Sequence, residues 1–518
     1  MGSSPLMSLG VKAMTANYAA LQTTGHNIAN ANVAGYSRQR TELATSQGQF
    51  TGAGFFGRGV DVVSVTRSYD GYLTREATSA RALAAMDATR LTQLQRLETV
   101  FQSGELGLGN ATSDLMNAMV DLSSQPADAA ARRVVLARAG DLAARFSEAG
   151  AALDTVQSGV TADLRAAVAD INSLAKSIAQ ANQRVAELQG LGQPANDVLD
   201  ERDRLISNLA QQVHVTQMQA QDGSISVFVG GGQRLVLGSQ ASTLSVLQDP
   251  ADPTRSAVGL SESGIERTLA ESSLGGGAIT GLLRFQNEDL VQARTQVGLL
   301  AAAVGGAINN QQKAGLNMQQ PYGSVPAAAL FQMGAAQALP SSTNARDASG
   351  APLSTVTLQI IDPGALQASE YDLRVDPADP NALQLTRLSD GQTFSVGNGS
   401  EVDGMRISFP SDMPHPGDRF LLQPVSRAPN GMVRLLDDPR DIAAASPLVA
   451  STAAANRGTA TVASLQVASA SLPAPTATAR FTFTDDAGNY SWELVDADTS
   501  VLASGAGIGF VARYNLVC

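Results

Sequence analysis

The chain has 518 residues, a net charge of −12, 16% charged and 4% aromatic residues. Such a length exceeds one core and predicts two to four domains, while the 44% hydrophobic content excludes wholesale disorder. Lysine occurs only at Lys12, Lys176 and Lys313, and no basic stripe runs along the chain, which excludes nucleic acid as the expected partner.

The first element is a helix within Leu6 to Arg40. At helical spacing it carries two seams. One is bulky: Met7, Val11, Met14, Tyr18, Leu21 and, past Gly25, Ile28. The other is small: Leu6, Leu9, Ala13, Ala16 and Ala20. Two adjacent seams allow a helix to pack against two neighbours, so this helix is the candidate assembly device. It should end near Asn30 to Gly35, where Asn27, Asn30, Asn32 and Gly35 tolerate left-handed and capping geometry. Residues 36–68 then read as extended, with Thr41, Leu43 and Val60 to Val65 flanking a glycine-rich loop.

A second helix is expected from Asp70 to Gln102, its stripe being Leu73, Ala77, Ala80, Ala84, Leu91, Leu94 and Phe101. Helices at Ala111 to Leu122 and Asp128 to Glu148 follow, separated by a turn through Pro126. A longer one, Ala151 to Leu188, alternates steps of 4 and 3 from Val160 to Leu188. Its stripe needs cover, and the predicted helix Asn287 to Lys313, with Leu290, Ala293, Val297, Leu300, Val304 and Ala307, is the candidate partner. Between them, His214 to Ser272 reads as β hairpins around Asp222-Gly223 and Gly230-Gly231-Gly232. From about Pro340 helical period vanishes. Two segments, starting at Ser369 and Ala479, repeat one pattern of strand, turn, strand and polar turn. Only the first continues through Val402 to Phe409 and Pro416 to Leu422, so the second unit is expected to be incomplete.

Chemistry-bearing patterns are sparse. His26, His214 and His415 sit in unlike contexts, and no metal-ligand or nucleophile-elbow spacing accompanies them, so no catalytic, cofactor-binding or metal-ligating residue is predicted. The acidic run Asp197, Asp200, Glu201 and Asp203 reads as a capped helix start, with Asn196 or Asp197 as cap and Asp200 paired to Arg204. The loop Gly52 to Gly59 lacks the lysine and hydroxyl residue of a phosphate loop and leads into a strand. Cys518, the single cysteine, permits neither an intrachain disulfide nor a thiolate zinc site. The sequence has neither an apolar run of membrane-spanning length nor a compact secretory h-region.

The run Asn27-Ile28-Ala29-Asn30-Ala31-Asn32-Val33-Ala34-Gly35-Tyr36-Ser37-Arg38-Gln39, with Leu21, resembles the N-terminal signature of the bacterial flagellar axial family of rod, hook and hook-associated proteins. The likeness is strongest to members at the junction of hook and filament. Asn196 to Leu205, the Gly230 to Gln233 loop, Gly281 to Phe285, Asn309 to Gly315, Gly417 to Phe420 and Asp438 to Ala445 extend it, in order, to about residue 470. The resemblance implies a non-enzymatic structural subunit of the extracellular flagellum, exported through the flagellar type III channel without a cleaved signal. It implies a ring of about eleven copies, with hook protein below, the third hook-associated protein above and a cytoplasmic export chaperone beforehand. Family members end in a long helix that pairs with the N-terminal one. Nothing after Ala453 to Asn456 resembles it, which leads to the expectation of a truncated form with a frame-shifted tail, and puts chaperone binding in question.

The expected fold is therefore multidomain α+β: an elongated, coiled-coil-like helical stalk with a small β insert, followed by outward, mainly-β domains. Its expected segments are an assembly helix at 1–40, disordered in the monomer; a helical domain at 41–335 with the insert at about 212–272; a β domain at 336–470; and the partial β unit at 471–518. The expected assembly interface comprises both seams with Asn27, Ile28, Asn30, Gly35 and Tyr36. The expected role is to join hook and filament by self-assembly through helical seams. The alternatives are another axial component, of hook or distal rod type, or a secreted adhesive or glycan-binding protein.

Overall fold

The computed structural model describes residues 5–508 except 52–53, 102–103, 194, 263, 321–326, 380–381, 411–412, 455, 459–464, 466, 468–476 and 486–487. The tail to Cys518 lies outside the described residues. The fold is multidomain α+β, with long helices and several antiparallel sheets. Contacts group the chain into two compact units that do not follow chain order: Met1–Thr99 with Thr155–Val291, and Val100–Asp154 with Gln292–Cys518.

In the first unit, α1 (Pro5–Ala29) ends as expected, in turns through Asn30 and Val33 and a left-handed Gly35 (φ +84°). Strand Gln39–Thr45 then pairs antiparallel with Val60–Arg67, the register shifting between Glu42 and Leu43. Helix α2 (Gly71–Glu98) is capped by Asp70, whose Oδ1 accepts from the amides of Tyr72 (2.9 Å) and Leu73 (3.1 Å).

The stripe read on α2 faces the opposite way from a core stripe. Leu73, Ala77, Ala80, Ala84, Leu91, Leu94 and Phe101 are exposed, whereas Thr78, Ala82, Met86, Gln93 and Leu97 turn inward. Close approach is the reason. The Gly277 amide donates to Ala82 O (2.8 Å) as α7 (Ala278–Arg284) begins. A Cβ on Gly281 would overlap the Met86 carbonyl oxygen and come within 3.2 Å of its carbon. Only the narrow face of α2 admits so near a neighbour.

Helices α3 (Leu108–Ser124) and α4 (Ala129–Gly190) follow; α4 gives its residues up to 154 to the second unit and the rest to the first. The two helices expected at 128–148 and 151–188 are thus one. Asp128 starts α4 by accepting from the Ala130 and Ala131 amides, and no proline interrupts it. Gly140, Gly150 and Gly159 each cost about 1 kcal/mol, too little to break a helix held by tertiary packing.

Beyond Thr155 the stripe of α4 is buried from Val160 to Val185, with Leu174 half-buried. The β insert holds it: Asn172 exchanges two hydrogen bonds with the Leu244 backbone (2.8 and 2.9 Å), and Asn182 does the same with Ile225. Helix α5 (Asn196–Gln212) leads into that insert. One sheet runs in chain order through Thr216–Gln219, Ile225–Val229, Gln233–Leu237 and Gln240–Ala241. A second centres Ser256–Glu262 between Thr243–Gln248 and Ile265–Leu269. After the short α6 (Glu271–Leu274) and α7, a π turn at Phe285–Asp289 passes into α8 (Leu290–Ala314).

In the second unit, Leu136 to Ala149 of α4 share a core with Leu115 and Leu122 of α3 and with Val297, Ala301 and Ala302 of α8. The apolar face of α8 meets the earlier part of α4, and its glycine face takes loops. Cβ atoms on Gly305 or Gly306 would run into Met333 or Pro363. The Asp438 to Ala445 segment crosses the helices, held by Arg132 Nη1 on the Ile442 carbonyl (2.7 Å) and by Gln312 on Asp441 O and Ala443 N.

The β region has a five-stranded sheet in the order Gln337–Pro340, Arg419–Gln423, Tyr371–Val375, Leu383–Arg387, Thr393–Val396. It shares a core with a smaller sheet of Thr357–Ile360, Met405–Ser408 and Glu401–Val402, centred on Tyr371, Leu385, Ile407 and Phe420. Burial and the Asp403 carboxylate (2.6 Å) push the Tyr371 hydroxyl far up in pKa, so it stays a donor. The two repeat segments do share a form: Tyr371–Val375, Leu383–Arg387 and Thr393–Val396 make one three-stranded meander, and Thr478–Phe483, Asn489–Val495 and Val501–Ile508 make another.

Candidate assembly interface

Three faces of α1 are distinguished by what they touch. Lys12, Ala16, Ala19, Ala20, Thr23, Asn27 and Asn30 are wholly or partly covered, with Ala16 only 2% exposed. This face lies on the Gln39–Thr45/Val60–Arg67 hairpin. Lys12 Nζ reaches Asp61 Oδ1 (2.8 Å) and Ser46 Oγ (2.7 Å), and Ser46 Oγ donates to Asp61 Oδ2 (2.6 Å). The hydroxyls of Thr23 and Thr41 meet at 2.9 Å. At about 100° per residue, the bulky seam lies nearly opposite. Met7 (68% exposed), Val11, Met14 (74%), Tyr18, Leu21 (69%) and Ile28 all face solvent. The small seam straddles the boundary: Leu6, Leu9 and Ala13 are exposed, while Ala16 and Ala20 belong to the docked face.

The remaining predicted residues build the joint that carries the helix. Asn27 Oδ1 accepts from the Tyr36 hydroxyl (2.7 Å) and the Gln39 amide (2.8 Å), and its Nδ2 donates to Gln39 O (2.8 Å). One side chain thus closes the turn from helix to strand. Asn30 Nδ2 donates back to His26 O (3.0 Å). His26 stands edge-on to the Tyr36 ring, 5.6 Å between centroids. Gly35 rests on the stem of Arg204, where an added Cβ would meet ordinary contact at 3.5 Å but a strained φ.

The acidic start of α5 does more than cap. Asp200 Oδ2 accepts from the Ser37 amide (2.9 Å) and its Oδ1 from Arg67 Nη1 (3.0 Å), which also reaches Asp203 Oδ2 (2.5 Å). Asn196 Nδ2 donates to Val65 O (2.6 Å), and Gln39 Nε2 to Asp197 Oδ1 (3.3 Å). The helix cap is Ala195, without a side-chain bond, and Arg204 pairs with Glu201 instead of Asp200. The expected capping and pairing are corrected for one reason: these side chains have better acceptors and donors on the hairpin than on their own helix. Burial pushes the Asp203 carboxyl up despite the adjacent guanidinium. Arg67, Asp200 and Asp203 were absent from the predicted interface. Their signal was an arginine ending a valine-rich strand and two aspartates three apart on one helix face.

The Lys12 ammonium and the Ser46 hydroxyl hold the Asp61 carboxyl below its usual range. A depressed folded value means the contact is complete above the unfolded-chain pKa and lost as pH falls through the folded one. Protection of α1 amides against hydrogen exchange, corrected for intrinsic rates, is expected to fall below pH ~4 in the wild type. It should show no such step in Asp61→Asn.

Other clusters hold no site. Ser354 Oγ lies 2.9 Å from His415 Nδ1, but Asp418 Oδ2 approaches that same nitrogen at 3.9 Å. A proton relay needs the serine and the carboxylate on opposite ring nitrogens. Among the described residues no group of three His, Cys, Asp or Glu side chains is placed to hold a metal, and no helix is long and apolar enough to cross a membrane.

Residues 94–326 match the family model described as the flagellar hook-associated protein FlgK helical domain. Flagellar hook-associated protein 1 of Escherichia coli K12 is 32% identical over 452 residues, 86% of this chain and 80% of that one. The chain belongs to the flagellar hook-associated protein 1 family. The Salmonella typhimurium member is 31% identical over 432 residues, 82% of this chain and 76% of that one. The structure of the flagellar hook junction protein FlgK from Burkholderia pseudomallei superposes with a TM-score of 0.66 at 25% identity, covering 82% of this chain and 73% of that one. In this member of the FlgK family, the Asn27 to Gln39 run serves as the joint between α1 and its hairpin, and the Asn196 to Leu205 run receives it.

Proposed function

We propose that this chain is a structural, non-enzymatic subunit joining hook to filament in the bacterial flagellum, which assembles by burying the bulky seam of α1. The observation that carries the reading is a helix docked on its own hairpin by one face while Met7, Val11, Met14, Tyr18, Leu21 and Ile28 stand uncovered on the other. Burying each large side chain fully stabilises an assembly by about 1.5–3 kcal/mol. The proposal extends to type III export without a cleaved signal, a ring of about eleven copies, contacts with hook protein and the third hook-associated protein, and a cytoplasmic chaperone before export. Of the segment 1–40 expected to be disordered in the monomer, the part from Lys12 on is docked on the hairpin; the proposal keeps disorder before assembly for the first turns of α1 alone, and hydrogen exchange showing those turns fully protected in dilute monomer would oppose this.

Replacing Met14 or Leu21 by aspartate in a strain lacking the native junction protein tests the seam. The expected result is hooks without attached filaments and loss of swimming, with the melting temperature of the purified chain unchanged because both side chains are already solvent-facing. Swimming at wild-type level by either variant would overturn the reading.

A further inference from the structure

Met7 and Met14 lie seven residues apart, two turns along the same exposed face of α1. The chain holds 12 methionines and one cysteine, so thioethers are its main oxidisable groups. Six other methionines serve as controls: Met116, Met218 and Met413, outside α1, are exposed (39%, 59% and 41%), while Met86, Met405 and Met432 are buried.

We propose that Met7 and Met14 form an oxidation-sensitive pair: attack by a hydroperoxide before assembly converts both to sulfoxides and blocks docking of the seam, whereas docking first shields them. This rests on the reading that the seam is buried in the assembly. In the reaction a sulfur lone pair attacks the distal peroxide oxygen, the O–O bond breaks and that oxygen transfers to sulfur. The proton on it passes to the departing hydroxide to give water. The sulfur loses two electrons and the peroxide gains them. The product is a polar, hydrogen-bond-accepting sulfoxide in place of a flexible apolar side chain. Two such groups two turns apart on one seam would each need a buried donor that an apolar partner face lacks.

The test uses the full chain treated with hydrogen peroxide, then freed of it, and isolated hooks that carry no junction protein. Trypsin cleavage at Lys12 places Met7 and Met14 in different peptides, and fragmentation of the first, which also holds Met1, locates its oxidised sulfur. Binding of the oxidised wild type is expected to fall by more than about tenfold at unchanged helix content. The double variant Met7→Leu/Met14→Leu, which keeps the face apolar at similar volume, should retain its binding after the same treatment. Undiminished binding by the oxidised wild type overturns the proposal, as does an equal loss in the double variant, which would place the effect at Met218 or another exposed site. A loss accompanied by melting of helix also overturns it. Failure of the untreated chain to bind hooks is a different result: it removes the junction reading, and this proposal with it.

Discussion

Gly298→Ala is expected to destabilise the unit containing most of α8 by about 2–3 kcal/mol, although alanine is the better helix former. Two effects compete. In mid-helix, alanine gains about 1 kcal/mol over glycine. Against that, a Cβ at Gly298 would overlap the Val425 carbonyl oxygen and lie 2.7 Å from its carbon and 3.3 Å from Ser426 Cα. These are backbone atoms, so no side-chain rotation relieves the overlap. Nor can the loop withdraw freely. Val425 is fully buried, and Asp154 accepts from Asn430 Nδ2 (2.7 Å), from Arg427 (3.3 Å) and from Arg294 of α8 (2.6 Å). Gly159 in α4 has open space where its Cβ would stand. Gly159→Ala should therefore stabilise by up to about 1 kcal/mol. Thermal unfolding of the two variants beside the wild type reads the difference. A Gly298→Ala chain as stable as wild type would show that the Val425 segment yields easily.

Arg67→Ala is expected to cost about 3–5 kcal/mol at neutral pH. Arg67, Asp200 and Asp203 have side-chain exposures of 10%, 11% and 15%, so removing the shared cation leaves two carboxylates side by side with little water. The pH dependence distinguishes this from simple loss of packing. Burial already raises the Asp203 carboxyl, and without the Arg67 guanidinium that opposes it the folded value rises further. The stability held by that carboxyl is then greatest at low pH and is lost as pH rises through the folded value. The variant should lose more stability relative to wild type at pH 8 than at pH 5, measured by urea unfolding with far-ultraviolet circular dichroism. An equal loss at both values would mean that the arginine acts through its packing alone, including its stacking on Tyr69 at 4.2 Å. The readout matters for assembly as well, because Arg67 and Asp200 fix the hairpin on which α1 lies.

Much of the architecture was readable from local pattern. Helix positions followed from apolar periodicity, and the expected starts at Asp70 and Asp128 prove to be capping residues. The β insert followed from Asp222-Gly223 and the Gly230 to Gly232 turn, whose glycines all adopt positive φ. The first two strands of each meander followed from alternation, while the third strands, Thr393–Val396 and Val501–Ile508, fall where a polar turn was read. The bulky seam of α1 was read as a face distinct from ordinary core, and its side chains are open to solvent. What went astray was partner choice. The α2 stripe was apolar yet outward, because the inward face was selected by the close approach of Gly277 and Gly281. For the later part of α4 the sequence offered 287–313 as cover, whereas the insert, through Asn172 and Asn182, is what the structure lays on it.

The sequence by itself determined the family, through runs such as Asn27 to Gln39. It also determined where most helices lie and that α1 carries a bulky and a small seam, because periodicity and turn chemistry act over a few residues. The tertiary structure alone decided that Asp200 binds Ser37 and Arg67, residues more than a hundred positions away, instead of Arg204 one turn on. A buried carboxylate takes the donors that can reach it out of water, and which donors those are depends on how distant segments fold together.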